Sequence, residues 1–347
     1  MKRFTIFSAV ILALCSFSSS ATAANVSDGM THVWKRYLSP ADQKALAAFA
    51  AAMPDEQQPA ASADPAAMVA SMRKGFEDLI ATIEPLPSSI KRTPFAENEI
   101  RGVWFTPEGA EEDKVLLYFH GGGYVVGTAD TAAPIAGILA RNAGITCFSL
   151  DYPLAPEAPF PAATDNALAA YRMLLDKGFK PGHIVLSGDS AGGGLVLATL
   201  LNIRDKNLPM PAGAYLLSPW ADLNQNAESY DRKKQVDVLV DKESLRTMSS
   251  LYANGQDINQ PLLSPVFADL KDLSPLLIHV GSFETLLDDS LTIARNAALA
   301  DVPVQLKAWP GNWHVFQFMH GELESGRKAL QEGAEFFKAA IDKTLIN

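Results

Sequence analysis

The residues Gly188-Asp189-Ser190-Ala191-Gly192 follow a short apolar run at 184–187 and open a helix-like stretch at 193–207. Gly-x-Ser-x-Gly at a strand-to-helix turn holds its serine in a strained conformation with the hydroxyl exposed. The glycines let neighbouring chain pass close. The helix N-terminus adds positive dipole character where an anion would form. A glycine-rich turn with an incidental serine is the alternative, and the strand-turn-helix setting argues against it. Ser190 is the candidate nucleophile of an acyl-transfer reaction.

Acyl transfer also needs donors for a tetrahedral oxyanion. His120-Gly121-Gly122-Gly123-Tyr124 stands at the end of the apolar run 115–119. Consecutive glycines expose backbone amides and allow close approach. Gly121 and Gly122 are assigned to the oxyanion hole, with the amide of Ala191 as a further donor. A phosphate-cradling loop would continue into Lys-Ser or Lys-Thr, or space its glycines Gly-x-Gly-x-x-Gly, and neither pattern occurs. His120, ahead of the glycines on the strand end, reads as a structural hydrogen-bonder.

The serine needs a general base and the base needs an orienting acid. His314 lies in Trp309-Pro310-Gly311-Asn312-Trp313-His314, beyond the last apolar run at 304–309, where a loop lets imidazole reach the serine. His320, six residues later on the closing helix, is the rival. His183 and His279 sit at or within strands, and His32 lies too far toward the N-terminus. Glu284 stands just past the run 276–280 and is favoured as the acid. Asp288 and Asp289 could instead complement a helix dipole, and Asp288 remains the alternative acid. Serine, acid, histidine is an established chain order for such a set.

The elements that must position these groups are short apolar runs at 100–105, 115–119, 145–150, 184–187, 214–217, 276–280 and 304–309. Most are continuous and rich in Leu, Ile and Val, as in a sheet covered on both faces. Helix-like segments separate most of them, so a largely parallel sheet of α/β class is expected, with the first run nearer an antiparallel edge. Ahead of them, Ser39-Pro40 with Asp42 starts one helix, and Asp64-Pro65 another. The second places Met68, Met72, Phe76, Leu79, Ile80 and Ile83 on one face. Residues 222–263 interrupt the strand rhythm and read as an inserted cap segment.

The chain has 347 residues, 48% of them apolar, enough for one large domain with a cap. A net charge of −10 with no basic stripe excludes electrostatic capture of nucleic acid. Neither His-Glu-x-x-His nor Cys-x-x-Cys occurs, and no metal or cofactor is expected. Residues 1–23 read as a signal peptide: Lys2 and Arg3, an apolar run from Phe4 to Leu14, then Ala21-Thr22-Ala23, with cleavage before Ala24. That predicts an exported protein, periplasmic or secreted, without a stable membrane span after cleavage. An uncleaved N-terminal anchor is the alternative. Cys15 is a poor lipid-attachment site, because bulky Leu14 precedes it. Cys147, inside a strand-like run, reads as a core residue.

Four blocks occur together and in order: His120-Gly121-Gly122-Gly123, Asp151-Tyr152-Pro153-Leu154-Ala155-Pro156-Glu157, Gly188-Asp189-Ser190-Ala191-Gly192-Gly193 and Ser218-Pro219-Trp220-Ala221-Asp222-Leu223. Jointly they resemble the bacterial hormone-sensitive-lipase-like esterases of the α/β-hydrolase superfamily, from about residue 100 to the C-terminal helix. The resemblance implies an α/β-hydrolase fold with a mostly parallel central sheet, flanking helices and a helical cap. It also implies that Asp189 is structural, and that residues 24–97 with 222–263 cover an acyl pocket on a hydrolase domain of 98–347. Two departures stand out. Glu284-Thr285-Leu286 replaces the commoner Asp-x-Leu, as in one sub-branch, and Pro153 replaces an arginine, which implies an altered salt-bridge pattern there.

The expected activity is carboxylic-ester hydrolysis of small-molecule substrates with short-to-medium acyl chains, lactones included, through an acyl-enzyme. Tyr124, Trp220 and Phe316 are aromatic candidates for the pocket. The rival readings are an amidase or peptidase with the same triad, and a non-catalytic ligand-binding homologue, which retention of Ser190, Glu284 and His314 disfavours.

Overall fold

The computed structural model describes residues 23–52 and 65–345; the expected signal segment lies outside them apart from Ala23. One eight-stranded sheet runs through the molecule in the order β1-β2-β4-β3-β5-β6-β7-β8. Its strands are β1 Ile90–Glu97, β2 Ile100–Pro107, β3 Glu111–Phe119, β4 Ile145–Leu150, β5 Ile184–Asp189, β6 Gly213–Leu217, β7 Leu276–Gly281 and β8 Val304–Trp309. β1 pairs antiparallel with β2, and β2 antiparallel with β4; every pairing from β4 to β8 is parallel.

Alternation along the strands sends side chains to two separate cores. Val115, Leu117 and Phe119 of β3 join one, with Leu195 and Leu200 from helix α6 (Ala191–Asp205) and Ala163 and Leu174 from α5 (Ala162–Asp176). Leu116 and Tyr118 face the other, where α4 (Ala133–Ala143) and α10 (Glu324–Ile341) bring Ile135, Leu330 and Phe337. A sheet covered on both faces explains why its central strands read as unbroken apolar runs.

All seven expected runs are strands. β1 is an additional one, and the boundary expected between 97 and 98 falls in the turn of the β1–β2 hairpin, where Asn98 takes a positive φ of 54°. β1 carries Lys91, Arg92 and Pro94 and leaves most of its side chains exposed. Proline is tolerated there because the strand is the edge.

Helices α1 (Ala23–Tyr37), α2 (Pro40–Ala52) and α3 (Pro65–Ile80) lie over the sheet's C-terminal end, joined by α7 (Ser229–Arg232) and α8 (Lys242–Ala253) from the 222–263 segment. α1 buries Met30 and Trp34, one helical turn apart, and Trp34 Nε1 donates to the carbonyl of Gly311 at 3.0 Å. Ser39 Oγ accepts from Asp42 N at 3.1 Å, as its capping position implies. The Asp42 carboxylate turns away and caps α10, accepting from Glu324 N at 2.7 Å and Ser325 N at 3.1 Å. Arg73 of α3 binds Glu157 through two nitrogens, at 2.8 and 2.6 Å, and donates to the carbonyls of Val125 (3.0 Å) and Ala155 (3.1 Å). A guanidinium from α3 thus serves the block in which Pro153 stands.

Candidate active site

Ser190 lies between the end of β5 and the start of α6, at φ 54°, ψ −121°. For a non-glycine residue this conformation costs about 1–3 kcal/mol and persists only where its surroundings impose it. Here Ser190 N donates to Leu217 O, while its carbonyl accepts from Trp220 N at 2.8 Å and Gly193 N at 3.0 Å. A side chain on Gly192 would run into the carbonyl oxygen of Phe119, and one on Gly188 into the Gly192 backbone. The two glycines of the motif are steric requirements.

The glycine loop is tied to this turn from below. Asp189 is buried, and its Oδ1 accepts from Tyr118 Oη at 2.7 Å and from Gly121 N at 3.1 Å. Burial pushes its pKa up to about 6, against the pull of those donors. The structural part expected of Asp189 fits these contacts. The same bond corrects the oxyanion assignment: the amide of Gly121 is already donated to a carboxylate, whereas Gly122 and Gly123 line the cavity beside Ser190. Ala191 opens α6, where first-turn amides have no partner within the helix. His120 stacks on Tyr152 at 4.1 Å with Nδ1 2.7 Å from the Gly121 carbonyl, and burial lowers its pKa to about 4, so it is neutral.

Glu284 follows β7 in a tight turn and is fully buried. Oε2 lies 3.1 Å from His314 Nδ1, while Oε1 accepts from Ser218 Oγ at 2.7 Å and from Gly281 N. Burial alone would lower the His314 pKa. The hydrogen bond and charge of Glu284, with the charges of Asp237 and Asp189, outweigh that and leave it above the ordinary 6.5. With Nδ1 turned to the carboxylate, Nε2 is the nitrogen left to exchange a proton with a hydroxyl. Asp288 does not reach this centre: its Oδ2 accepts from Ser229 N at 2.8 Å. Asp289 accepts from the amides of Ala221 and Asp222 at 2.7 and 2.8 Å. His320 follows a short 3-10 turn at 316–319 and does not line the cavity.

Ser190 and His314 face one cavity of about 180 Å³. Its walls are apolar: Met72, Phe76, Leu79, Ile80 and Ile83 from α3 and the turn after it, Leu245 and Met248 from α8, and Trp313 and Phe316 from the histidine loop. The stripe read on α3 and the turn after it therefore faces the site, apart from Met68, which packs against the main core. Of the three aromatic candidates only Phe316 lines it. Tyr124 and Trp220 are buried beneath, Tyr124 stacked on Tyr252 at 3.8 Å, because an elbow packed this tightly needs large side chains to fill the space behind it.

Sequence reasoning missed Ser218 and Gly123. Ser218 was noticed only as part of a signature block, yet its hydroxyl bridges Glu284 and the amide of Val315, the residue after His314. Its place right after β6, in register with the ends of β5 and β7, is the signal that could have found it.

A family model described as an alpha/beta hydrolase fold matches residues 116–318. An acetyl-hydrolase of Streptomyces hygroscopicus is 41% identical over 242 residues, 70% of this chain and 81% of that protein. An esterase of Acinetobacter venetianus is 34% identical over 261 residues, 75% of this chain and 86% of that protein. A solved esterase of the bacterial hormone-sensitive lipase family is 36% identical, with a TM-score of 0.78 over 91% of this chain and 99% of that one. An esterase/lipase from an uncultured bacterium is 39% identical, with a TM-score of 0.77 over 83% and 95%. The chain belongs to the α/β-hydrolase family and, within it, to the hormone-sensitive-lipase-like esterases: it is a carboxylesterase-type hydrolase.

Proposed function

We propose that the protein hydrolyses carboxylic esters of short-to-medium acyl length, lactones included, through a covalent acyl-enzyme on Ser190. The observation that carries this reading is the strained, cavity-facing Ser190 beside His314, whose Nδ1 is held by buried Glu284. Ser190 Oγ attacks the ester carbonyl carbon as His314 Nε2 takes its proton, and Glu284 stabilises the imidazolium. The amides of Gly122, Gly123 and Ala191 receive the oxyanion. Collapse breaks the bond to the alcohol oxygen, which leaves with the proton from His314. Water, deprotonated by the same nitrogen, then attacks the acyl-enzyme and releases the acid. A cavity of about 180 Å³ with apolar walls supports a neutral acyl group of limited length.

Rates on p-nitrophenyl esters of increasing acyl length, with a fluorophosphonate label, test the reading. Wild type should label at Ser190 and favour short-to-medium chains; Ser190→Ala should neither label nor turn over. An active Ser190→Ala enzyme would overturn it.

We also propose that the protein is exported and begins at Ala24, on the strength of Lys2, Arg3, the apolar run and Ala21-Thr22-Ala23. N-terminal sequencing of protein from the periplasm or medium tests this. Chains held in the cytosol with Met1 intact would refute it.

A further inference from the structure

Asp237, in the 222–263 segment, is 3% exposed, and no ion pair to it occurs among the described residues. Burying a carboxylate is costly unless donors or a positive charge compensate. Three backbone amides meet it: Leu239 N at 3.0 Å and Val240 N at 3.1 Å on Oδ1, and Thr285 N at 2.7 Å on Oδ2. Thr285 directly follows Glu284, and its hydroxyl returns a bond to the carbonyl of Val240 at 3.0 Å. Ser229 Oγ donates to the Thr285 carbonyl at 2.7 Å. Every polar group of Thr285 is therefore held by the cap segment, while Leu239 and Val240 line the cavity.

We propose that Asp237 is a positioning residue of the esterase site: it clamps the cap segment to the turn carrying Glu284. The inference rests on the reading of Ser190, His314 and Glu284 as the reacting set. The negative charges of three carboxylates from three elements favour the imidazolium, Glu284 after β7, Asp237 from the cap segment and Asp189 beneath the elbow, while burial raises the pKa of Asp237 against the pull of His314 and the amides. Glu284 touches the ring, and Asp189 has Tyr118 and Gly121 as donors. Asp237 has only amides, so the positive charge that its own charge favours is the imidazolium formed in each turnover. The clamp also links the segment that shapes the pocket to the turn that orients the base.

The test compares wild type, Asp237→Asn and Thr285→Val in kcat and KM on p-nitrophenyl butyrate across pH, with thermal melts and fluorophosphonate labelling. Asp237→Asn keeps the size and removes the charge, and because its NH2 group cannot accept, it also gives up the bond from Thr285 N or those from Leu239 N and Val240 N. Its kcat should fall roughly three- to tenfold or more, with KM changed less, since one decade corresponds to one unit of charge-dependent pKa. Its acid limb should move to lower pH, because the imidazole loses a neighbouring negative charge. Thr285→Val, which removes the return bond and keeps the charge, should lower kcat a few-fold with the acid limb in place. A folded Asp237→Asn enzyme with wild-type kcat and an unmoved acid limb would overturn the proposal. If that variant does not fold, Asp237→Ser, small enough to admit water, carries the same expectation. Should neither fold, Thr285→Val with wild-type kcat would overturn the clamp. Wild-type protein that fails to label at Ser190 would instead sink the underlying reading.

Discussion

Replacing Glu284 by glutamine separates an orienting acid from a merely buried one. Oε1 accepts from both Ser218 Oγ and Gly281 N, and Ser218 Oγ, which itself accepts from Val315 N, gives its proton to Oε1. In Glu284→Gln the amide oxygen must therefore take the Oε1 side. Its NH2 group then points at His314 Nδ1, 3.1 Å from Oε2 in the native site. Two donors cannot face one another, so Nδ1 becomes an acceptor and the ring proton moves to Nε2. In the proposed mechanism that is the nitrogen that takes the Ser190 proton. The loss of tautomer and counter-charge in a Ser-His-Asp triad costs about 10⁴ in kcat, about 5 kcal/mol of barrier. The expected fall here is between about 10² and 10⁴, with a melting temperature near that of wild type because shape and donors are kept. Asp288→Asn keeps an acceptor for Ser229 N on a half-buried side chain, so it should cost under about 1 kcal/mol in stability and little in rate. Steady-state kinetics on the two purified variants decide. A Glu284→Gln enzyme with more than a tenth of wild-type kcat, or an inactive but folded Asp288→Asn enzyme, would refute the reasoning.

Because His314, as the proposed base, must be neutral to act and its pKa is raised, kcat/KM should rise with pH and its acid limb should lie above 6.5; a limb below that value would contradict the charge arrangement. Arg73→Met should loosen α3 by about 1–3 kcal/mol, a figure for charged donors to carbonyls with only a small share from the exposed ion pair. It should appear as a lower melting temperature and a raised KM with kcat less affected, and an unchanged melt would show that α3 is held without it. Gly192→Ala forces a methyl group into the Phe119 carbonyl and should destabilise by about 3 kcal/mol or more, read as loss of soluble protein or a large drop in the melt.

Legibility followed how directly each feature depends on local residue type. The buried parallel strands were readable because two-sided burial leaves them almost wholly apolar, as in Leu276–Gly281. β1 was not, since an edge strand with one buried residue in eight carries no such run. α1 was missed for a similar reason: among its described side chains only Met30 and Trp34 are buried, too few to mark a helix face. Ser190 was singled out by the Gly-x-Ser-x-Gly turn, and Glu284 and His314 by chain order and loop placement; the structure sets Ser190 and His314 on one cavity with Glu284 on the imidazole. Tyr124 and Trp220 were misplaced because aromatic size near a motif does not say which side of the backbone the ring takes. Gly121 was misassigned because the hydrogen bond to Asp189 spans 68 residues of sequence.

Beyond the elbow serine, what residue types could not show is the strain. Four non-glycine residues around the site hold positive φ: Tyr124 at 63°, Ser190 at 54°, Ser218 at 48° and Val315 at 46°. Val315 is β-branched, for which this region is a genuine outlier. Each follows or contains a site group: the glycine loop, the elbow, the partner of Glu284, and the histidine. Each also sits where a strand or loop ends at the sheet's C-terminal edge and must reverse to aim a group into one cavity. The cost, about 1–3 kcal/mol apiece, can persist only because the surroundings over-determine the backbone. Ser218 makes this concrete. Its amide is held by His279 O at 2.7 Å, and its hydroxyl ties the Glu284 turn to the Val315 amide, so two of the strained residues hold each other in place. Relaxing either would move His314 or Glu284 away from the other, which couples backbone strain in this fold directly to the geometry of proton transfer.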